Sequence, residues 1–247
     1  MHFRILRQIF LIALVVSATT LSGNSQNRIR LSKPNDFIYS GIGISFFAWG
    51  TYAYDHKSDW PPSEFTLPDY HSINRFDRSA VFHYSKSAAK TSDVFLLSSL
   101  ALPSVLFLDS KMRKDAGPIS IVYLQTVFLT LGEIQLVKGY AHRLRPYVYN
   151  ENVATEAKMN ADAGASFFSG HTAMTSAMAV YTASVYSAYY HGSKAEPWIW
   201  AGALAVPLTT GYLRYRAGMH FPTDILTGFL VGAANGFLMA RLHRSID

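Results

Sequence analysis

The chain has 247 residues, 49% of them apolar and only 15% charged, below the roughly 25% charged content of soluble domains and suited to a bilayer. It has no cysteine, which excludes a disulfide framework and any thiolate metal site. The net charge of +6 sits in clusters (Arg28, Arg30 and Lys33; "KMRK" 111–114; Arg241 and Arg244), each flanking an apolar segment. That placement argues against a nucleic-acid partner and for charges that set orientation in a membrane.

In chain order, "MHFRILRQ" followed by "IFLIALVVSA" has the charged start and short apolar run of a secretory signal. Residues 1–26 are therefore expected to be a signal peptide processed near 22–26, or an N-terminal anchor. Apolar stretches follow at about 37–54, 94–108, 118–137, 172–190, 198–213 and 223–240. Several approach the ~20 residues that cross a bilayer, while 94–108 is short and calls for snorkelling ends. The 172–190 run is rich in Ala, Ser, Thr and Tyr and reads as helix packed against protein. Gly228, Gly232 and Gly236 form a small-residue stripe for close helix approach.

The expected organisation is 27–91 as an N-terminal helix, polar loop and amphipathic segment, and 92–247 as a helical catalytic unit. Within the first, "DHKSDWPPSEFTLPDY" is a loop and "NRFDRSAVFHYSKSAAK" is expected to lie as an amphipathic helix on the membrane surface. His56, His71 and His83 lack metal-ligand spacing and read as surface residues. The short basic 111–114 loop should face the cytoplasm. The loop 138–171 and the turn 214–222 then face outward. A cleaved signal would reverse these sides if 37–54 crossed fully, so 37–54 is expected not to cross, with an uncleaved N-terminus as the alternative.

Three clusters fall on that one outward side: Lys138 with Arg145-Pro146, Ser169-Gly170-His171, and Arg214 with His220 and Asp224. Singly each has a plain structural reading. Lys138 and Arg145 can mark the membrane edge, His171 can be a cap or core histidine, and His220 with Asp224 can be an ordinary i, i+4 pair. Arg143 and Arg216 fit no spacing pattern and read as interfacial. Together, the three cations suit phosphate oxygens. Ser169 as N-cap would free the Gly170 and His171 amides at a helix N-terminus, where anions bind. Asp224, in the first turn after Pro222, can hold one nitrogen of His220 and leave the other for attack. On this reading His220 is the nucleophile, His171 the general acid, and no metal is required.

The ordered triple resembles the signature of the type 2 phosphatidic acid phosphatase superfamily, which includes vanadium haloperoxidases and bacterial acid phosphatases. That signature is K-x6-R-P, P-S-G-H and S-R-x5-H-x3-D. Lys138, Arg145 and Pro146, then Ser169, Gly170 and His171, then Arg214, His220 and Asp224 match it. The resemblance covers about 92–240. It implies an all-α bundle of about six helices, membrane-embedded, and metal- and cofactor-independent hydrolysis of a phosphate ester or diphosphate. In membrane members it also implies a site facing the periplasm. Phe168 replaces the signature proline, loosening a loop and widening contacts to substrate, and Leu213 replaces the serine, removing a hydrogen bond to phosphate.

The expected activity is therefore a multi-pass phosphatase of a bacterial cell membrane, acting on a phosphorylated lipid through a phosphohistidine. The competing readings are a soluble periplasmic acid phosphatase, a vanadate-dependent haloperoxidase and a non-catalytic lipid-binding descendant. Neither the particular lipid nor the oligomeric state is written in the sequence.

Overall fold

Proline and small polar residues set most helix starts among the described residues, and residues in the left-handed region follow three helix ends. The computed structural model describes residues 28–56 and 65–245. The signal or anchor expected at 1–26 lies outside them. Among the described residues the fold is all-α. Six long helices are α1 (Lys33–Asp55), α2 (Lys86–Ala101), α4 (Ala116–Ala141), α6 (Gly170–Tyr190), α7 (Glu196–Arg216) and α8 (Pro222–Leu242). Two short ones are α3 (Ser110–Lys114) and α5 (Thr155–Lys158). Proline opens α1, α7 and α8, where its missing N–H costs nothing. Ser85, Asp109 and Ser169 cap α2, α3 and α6 through their side chains. His142 (φ 45) ends α4, and Gly218 (φ 68) turns the chain after α7.

Two local expectations change. Helix α2 starts at Lys86, ahead of the apolar run, and continues as a 3-10 segment, Leu102–Leu108, so the element is longer than 94–108. No amphipathic helix forms over 74–90. A 3-10 turn, Arg78–Phe82, stands there instead, preceded by another at Tyr70–Ser72; the chain is extended at His83, and 86–90 belong to the start of α2. The cause is local side-chain bonding that competes with helix. Asn74 Oδ1 accepts the Asp77 amide at 3.0 Å, and Asp77 itself turns inward and is fully buried. His56 and His71 are exposed as expected, whereas His83 is half-buried edge-on to Tyr215.

The core is organised around α6, most of whose side chains are buried. Helix α8 lies against it through the glycine stripe. A Cβ at Gly228, Gly232 or Gly236 would stand 2.5, 2.0 or 2.3 Å from the carbonyl oxygens of Ser169, Ala173 and Ala177. The three pairs advance together, so α6 and α8 run parallel, with α7 returning between them. Helix α1 docks on α4 the same way. Gln125 bonds Ser40, Gly50 meets Gly132, and Gly139 meets Ala53. Those pairs also advance together, so α1 parallels α4 along most of its length. Helix α1, where 37–54 is expected not to cross, is not one of the helices long and apolar enough to span a membrane.

These directions sort the bundle's ends. One end gathers the C-termini of α1, α4 and α7 with the N-termini of α2, α6 and α8. The other carries Arg28, Arg30, the 111–114 cluster, Arg241 and Arg244. There the segments flanking α1 and α8 pair, Arg30 N–H to the His243 carbonyl at 2.8 Å and Ser245 N–H to the Arg28 carbonyl at 2.9 Å. Three helical segments are long and apolar enough to cross a membrane, Lys86–Leu108, Ala116–Tyr149 and Pro222–Leu242, which makes this a membrane-associated chain.

Candidate active site

All eight residues singled out from the sequence lie at the end opposite the basic clusters. Ser169 is the N-cap of α6, its Oγ accepting the Thr172 amide at 3.5 Å and lying 2.8 Å from Thr172 Oγ1. The Gly170 and His171 amides, in the first turn, have no intrahelical acceptor. Gly170 is required by packing, since a Cβ there would lie 2.9 Å from Ile134 and 3.8 Å from Lys138 Nζ. Lys138 is thereby placed beside the N-terminus of α6.

Gly218 shapes the other half. Its positive φ and the contact of a would-be Cβ at 2.1 Å with the His83 carbonyl leave room for no other residue. The turn it makes drops His220 into the interior, where it is fully buried. Nδ1 of His220 lies 2.7 Å from the Ser166 carbonyl, and that oxygen can only accept. The proton therefore sits on Nδ1 and the lone pair on Nε2. Nε2 is buried and has no hydrogen-bond partner among the described residues. Burial, then the charges of Arg145, Lys138 and Arg214, push the His220 imidazole well below its ordinary pKa, only partly opposed by the Ser166 bond. The ring is held neutral, its Nε2 lone pair buried in the field of three cations.

Asp224 departs from expectation. Its Oδ2 is 3.8 Å from His220 Nδ1, too far for a hydrogen bond. The carboxylate is instead consumed by Ser166 Oγ (2.6 Å), the Phe221 amide (2.9 Å) and Arg143 (2.5 Å). It fixes the two backbone segments that flank the imidazole rather than the ring itself. Arg145 departs as well. Its guanidinium is already held by Asp162, at 2.9 Å to the carbonyl and 2.7 Å to Oδ2, and by the Met219 carbonyl at 3.3 Å. Arg214 is nearly buried, reaches Ser92 Oγ at 3.3 Å and keeps its Nε unpartnered.

Sequence reasoning missed four contributors. Asp93, midway along α2, lies 2.8 Å from His171 Nε2 and 3.9 Å from Arg214. Arg143, read as interfacial, instead bridges Asp224 and Asp77 and lies 4.3 Å over the Phe221 ring. Asp77 accepts the Thr223 amide (3.0 Å) and hydroxyl (2.7 Å), Asn74 Nδ2 (2.8 Å) and Arg143 (2.7 Å). Burial alone would raise its carboxyl, but the bonds from Thr223, Arg143 and Asn74 outweigh burial and hold it below the ordinary value. Ser166 supplies both a carbonyl and a hydroxyl. Its place three residues ahead of the Ser-Gly-His motif was the one available hint. Phe168, expected to widen contacts to substrate, is 3% exposed and packs into the core beside Ile134 and Met174. Among the described residues, no group of three or more His, Cys, Asp or Glu is placed to hold a metal ion.

The family model of the PAP2 superfamily matches residues 119–246, an interval that contains all eight of these residues. The chain belongs to the PAP2 superfamily. No curated protein and no solved structure matches it. PAP2 proteins are generally phosphatases, which supports hydrolysis of phosphate esters at this site. The PAP2 match begins inside α4, so Asp77 and Asp93 lie ahead of it.

Proposed function

We propose that the chain is a membrane phosphatase that removes phosphate from a phosphorylated lipid through a phosphohistidine on His220. The observation that carries this reading is the buried, unpartnered Nε2 of a neutral His220 within a ring of cations. In the first step the Nε2 lone pair attacks phosphorus and the bond to the lipid oxygen breaks. His171, its ring oriented by Asp93, gives its proton to that oxygen. Lys138, Arg145 and Arg214, with the Gly170 and His171 amides, stabilise the charge on the equatorial oxygens. In the second step water attacks the phosphohistidine and gives its proton to His171. Inorganic phosphate leaves and the Nε2 lone pair is restored.

The lipid reading is supported by three bilayer-length apolar segments whose ends reach the site. The gathering of the basic clusters at the far end supports a cytoplasmic placement of that end, which puts the site on the periplasmic face of a bacterial membrane. Helix α1 then starts on the cytoplasmic side. Residues 92–247 carry the catalytic groups, braced by Asp77 from the preceding segment.

The test is phosphate release in chelator from a panel of lipid and soluble phosphate esters, with trapping of ³²P on the protein by an alkaline detergent quench. Release from a lipid phosphate, with base-stable, acid-labile label absent from His220→Ala, is the expected result. Full activity in His220→Ala would overturn the assignment.

A further inference from the structure

At the basic end, far from His220, a groove of about 560 Å³ opens between the 3-10 segment Leu102–Leu108, the C-terminal half of α6 and the N-terminal half of α7. Its floor is the buried Leu106, Ala183 and Ala203, and Val105 and Leu108 stand exposed at its rim. The one carboxylate in its lining, Asp109, is fully engaged. It accepts the Lys111 and Met112 amides at 2.9 and 3.0 Å and the Tyr190 hydroxyl at 2.6 Å. Whatever fills this groove must therefore be apolar where it touches the floor.

The mouth has the opposite character. Lys111 Nζ lies 5.2 Å over the ring of Tyr190, itself part of the lining. Lys111, Arg113 and Lys114 are all exposed, and none forms an ion pair among the described residues. An apolar slot with Lys111 over a ring of its lining, and with Arg113 and Lys114 exposed on the same short helix, matches an amphiphile with an acyl chain and a negative head. We propose that this groove binds an anionic phospholipid of the leaflet at the basic end, one acyl chain in the slot and the phosphate on Lys111, Arg113 and Lys114. The site is separate from the catalytic cradle, and it rests on membrane association, not on the phosphatase reading.

Tryptophan quenching tests this, because Trp198 is exposed on α7 and Trp200 packs on Ala179, Ala183 and Ala203. The full chain, with Trp49→Phe and Trp60→Phe to remove other emission, is placed in phosphatidylcholine bilayers. Dibrominated phosphatidylglycerol or dibrominated phosphatidylcholine is added at equal mole fraction. A cation at an anionic surface is worth roughly fivefold in binding. The expected result is quenching by the anionic lipid that saturates at low mole fraction and exceeds the zwitterionic lipid at least about fivefold. Gly202→Phe fills the slot, and a Cβ at Gly202 meets nothing within 4 Å, so the helix tolerates it. That variant and the combined Lys111→Gln, Arg113→Gln, Lys114→Gln variant should each erase the excess while keeping wild-type helical content and melting. Equal quenching by both lipids, the mark of an unselective lipid annulus, overturns the proposal. So does an excess that survives both variants, which would place the anion elsewhere, the catalytic cradle included.

Discussion

His220 is fastened to Ser166 through a main-chain carbonyl, at 2.7 Å, and not to the carboxylate of Asp224 four residues after it. A carbonyl cannot take up a proton at any working pH, so the tautomer is fixed without a titrating partner. Asp224 acts on the ring at one remove, through Ser166 and the Phe221 amide. Asp224→Asn, which keeps shape and removes charge, is therefore expected to lower kcat about 10- to 100-fold with KM little changed. Steady-state kinetics on a soluble phosphate ester decide it. A loss on the order of 10⁴, as when a direct carboxylate partner is removed, would show that Asp224 touches the imidazole during turnover.

The depressed basicity of His220 carries a pH signature. The nucleophile must be unprotonated, and its folded-state pKa lies below the ordinary imidazole value of about 6.5. As pH falls through 6.5 the ring stays neutral, so the acid limb of kcat/KM should lie below that value. Lys138→Gln removes one of the charges that depress it and should move the limb toward neutrality. The same shift enters stability. Unfolded chains bind the proton first, so the folded state is destabilised as pH falls below about 6.5.

Asp77 and Arg143 form a brace between a segment outside the family match and the start of α8. Asp77→Ala leaves the Thr223 amide and one arm of Arg143 unsatisfied in a buried place. It should cost about 1–3 kcal/mol, read as a lower melting temperature in detergent. Because the Asp77 carboxyl is held below its ordinary value, its stabilisation is present above about pH 4 and is lost as pH falls through the depressed value. Asp77→Asn should flatten the acid side of the stability profile.

Glycine substitutions separate packing from propensity. Gly232→Ala would set a methyl 2.0 Å from the Ala173 carbonyl, forcing α8 off α6. The cost should be at least about 1–3 kcal/mol, and activity should fall because both helices deliver their N-termini to the site. Gly41→Ala, whose methyl meets nothing within 4 Å, should be neutral or stabilising by up to about 1 kcal/mol. Thermal melts of the two variants side by side make the comparison.

The long helices were readable because apolar run length and the glycine stripe are sequence-local signals, and the three motifs because each is confined to a short stretch of chain, even where it crosses from one element to the next. What stayed hidden is what only tertiary contact creates. Asp77 lies 146 residues from Thr223, with nothing in the intervening spacing to link them. Asp93 is one carboxylate at the head of an apolar run, and its partner His171 is on a different helix. Arg143 fits no spacing pattern in the sequence, yet it makes the bridge. The amphipathic-helix expectation for 74–90 failed because one inward carboxylate was enough to outweigh the periodicity around it.

The pairing of Arg28 and Arg30 with Ser245 and His243 fastens the segment ahead of α1 to the segment that follows α8. A short tether from Ser245 to Arg28 in place of residues 1–27 and 246–247, with a new opening at the exposed Gly192 turn on the same side, should regenerate the bundle with its helices in a rotated order. The bundle would then owe its shape to which faces meet and not to which helix is made first.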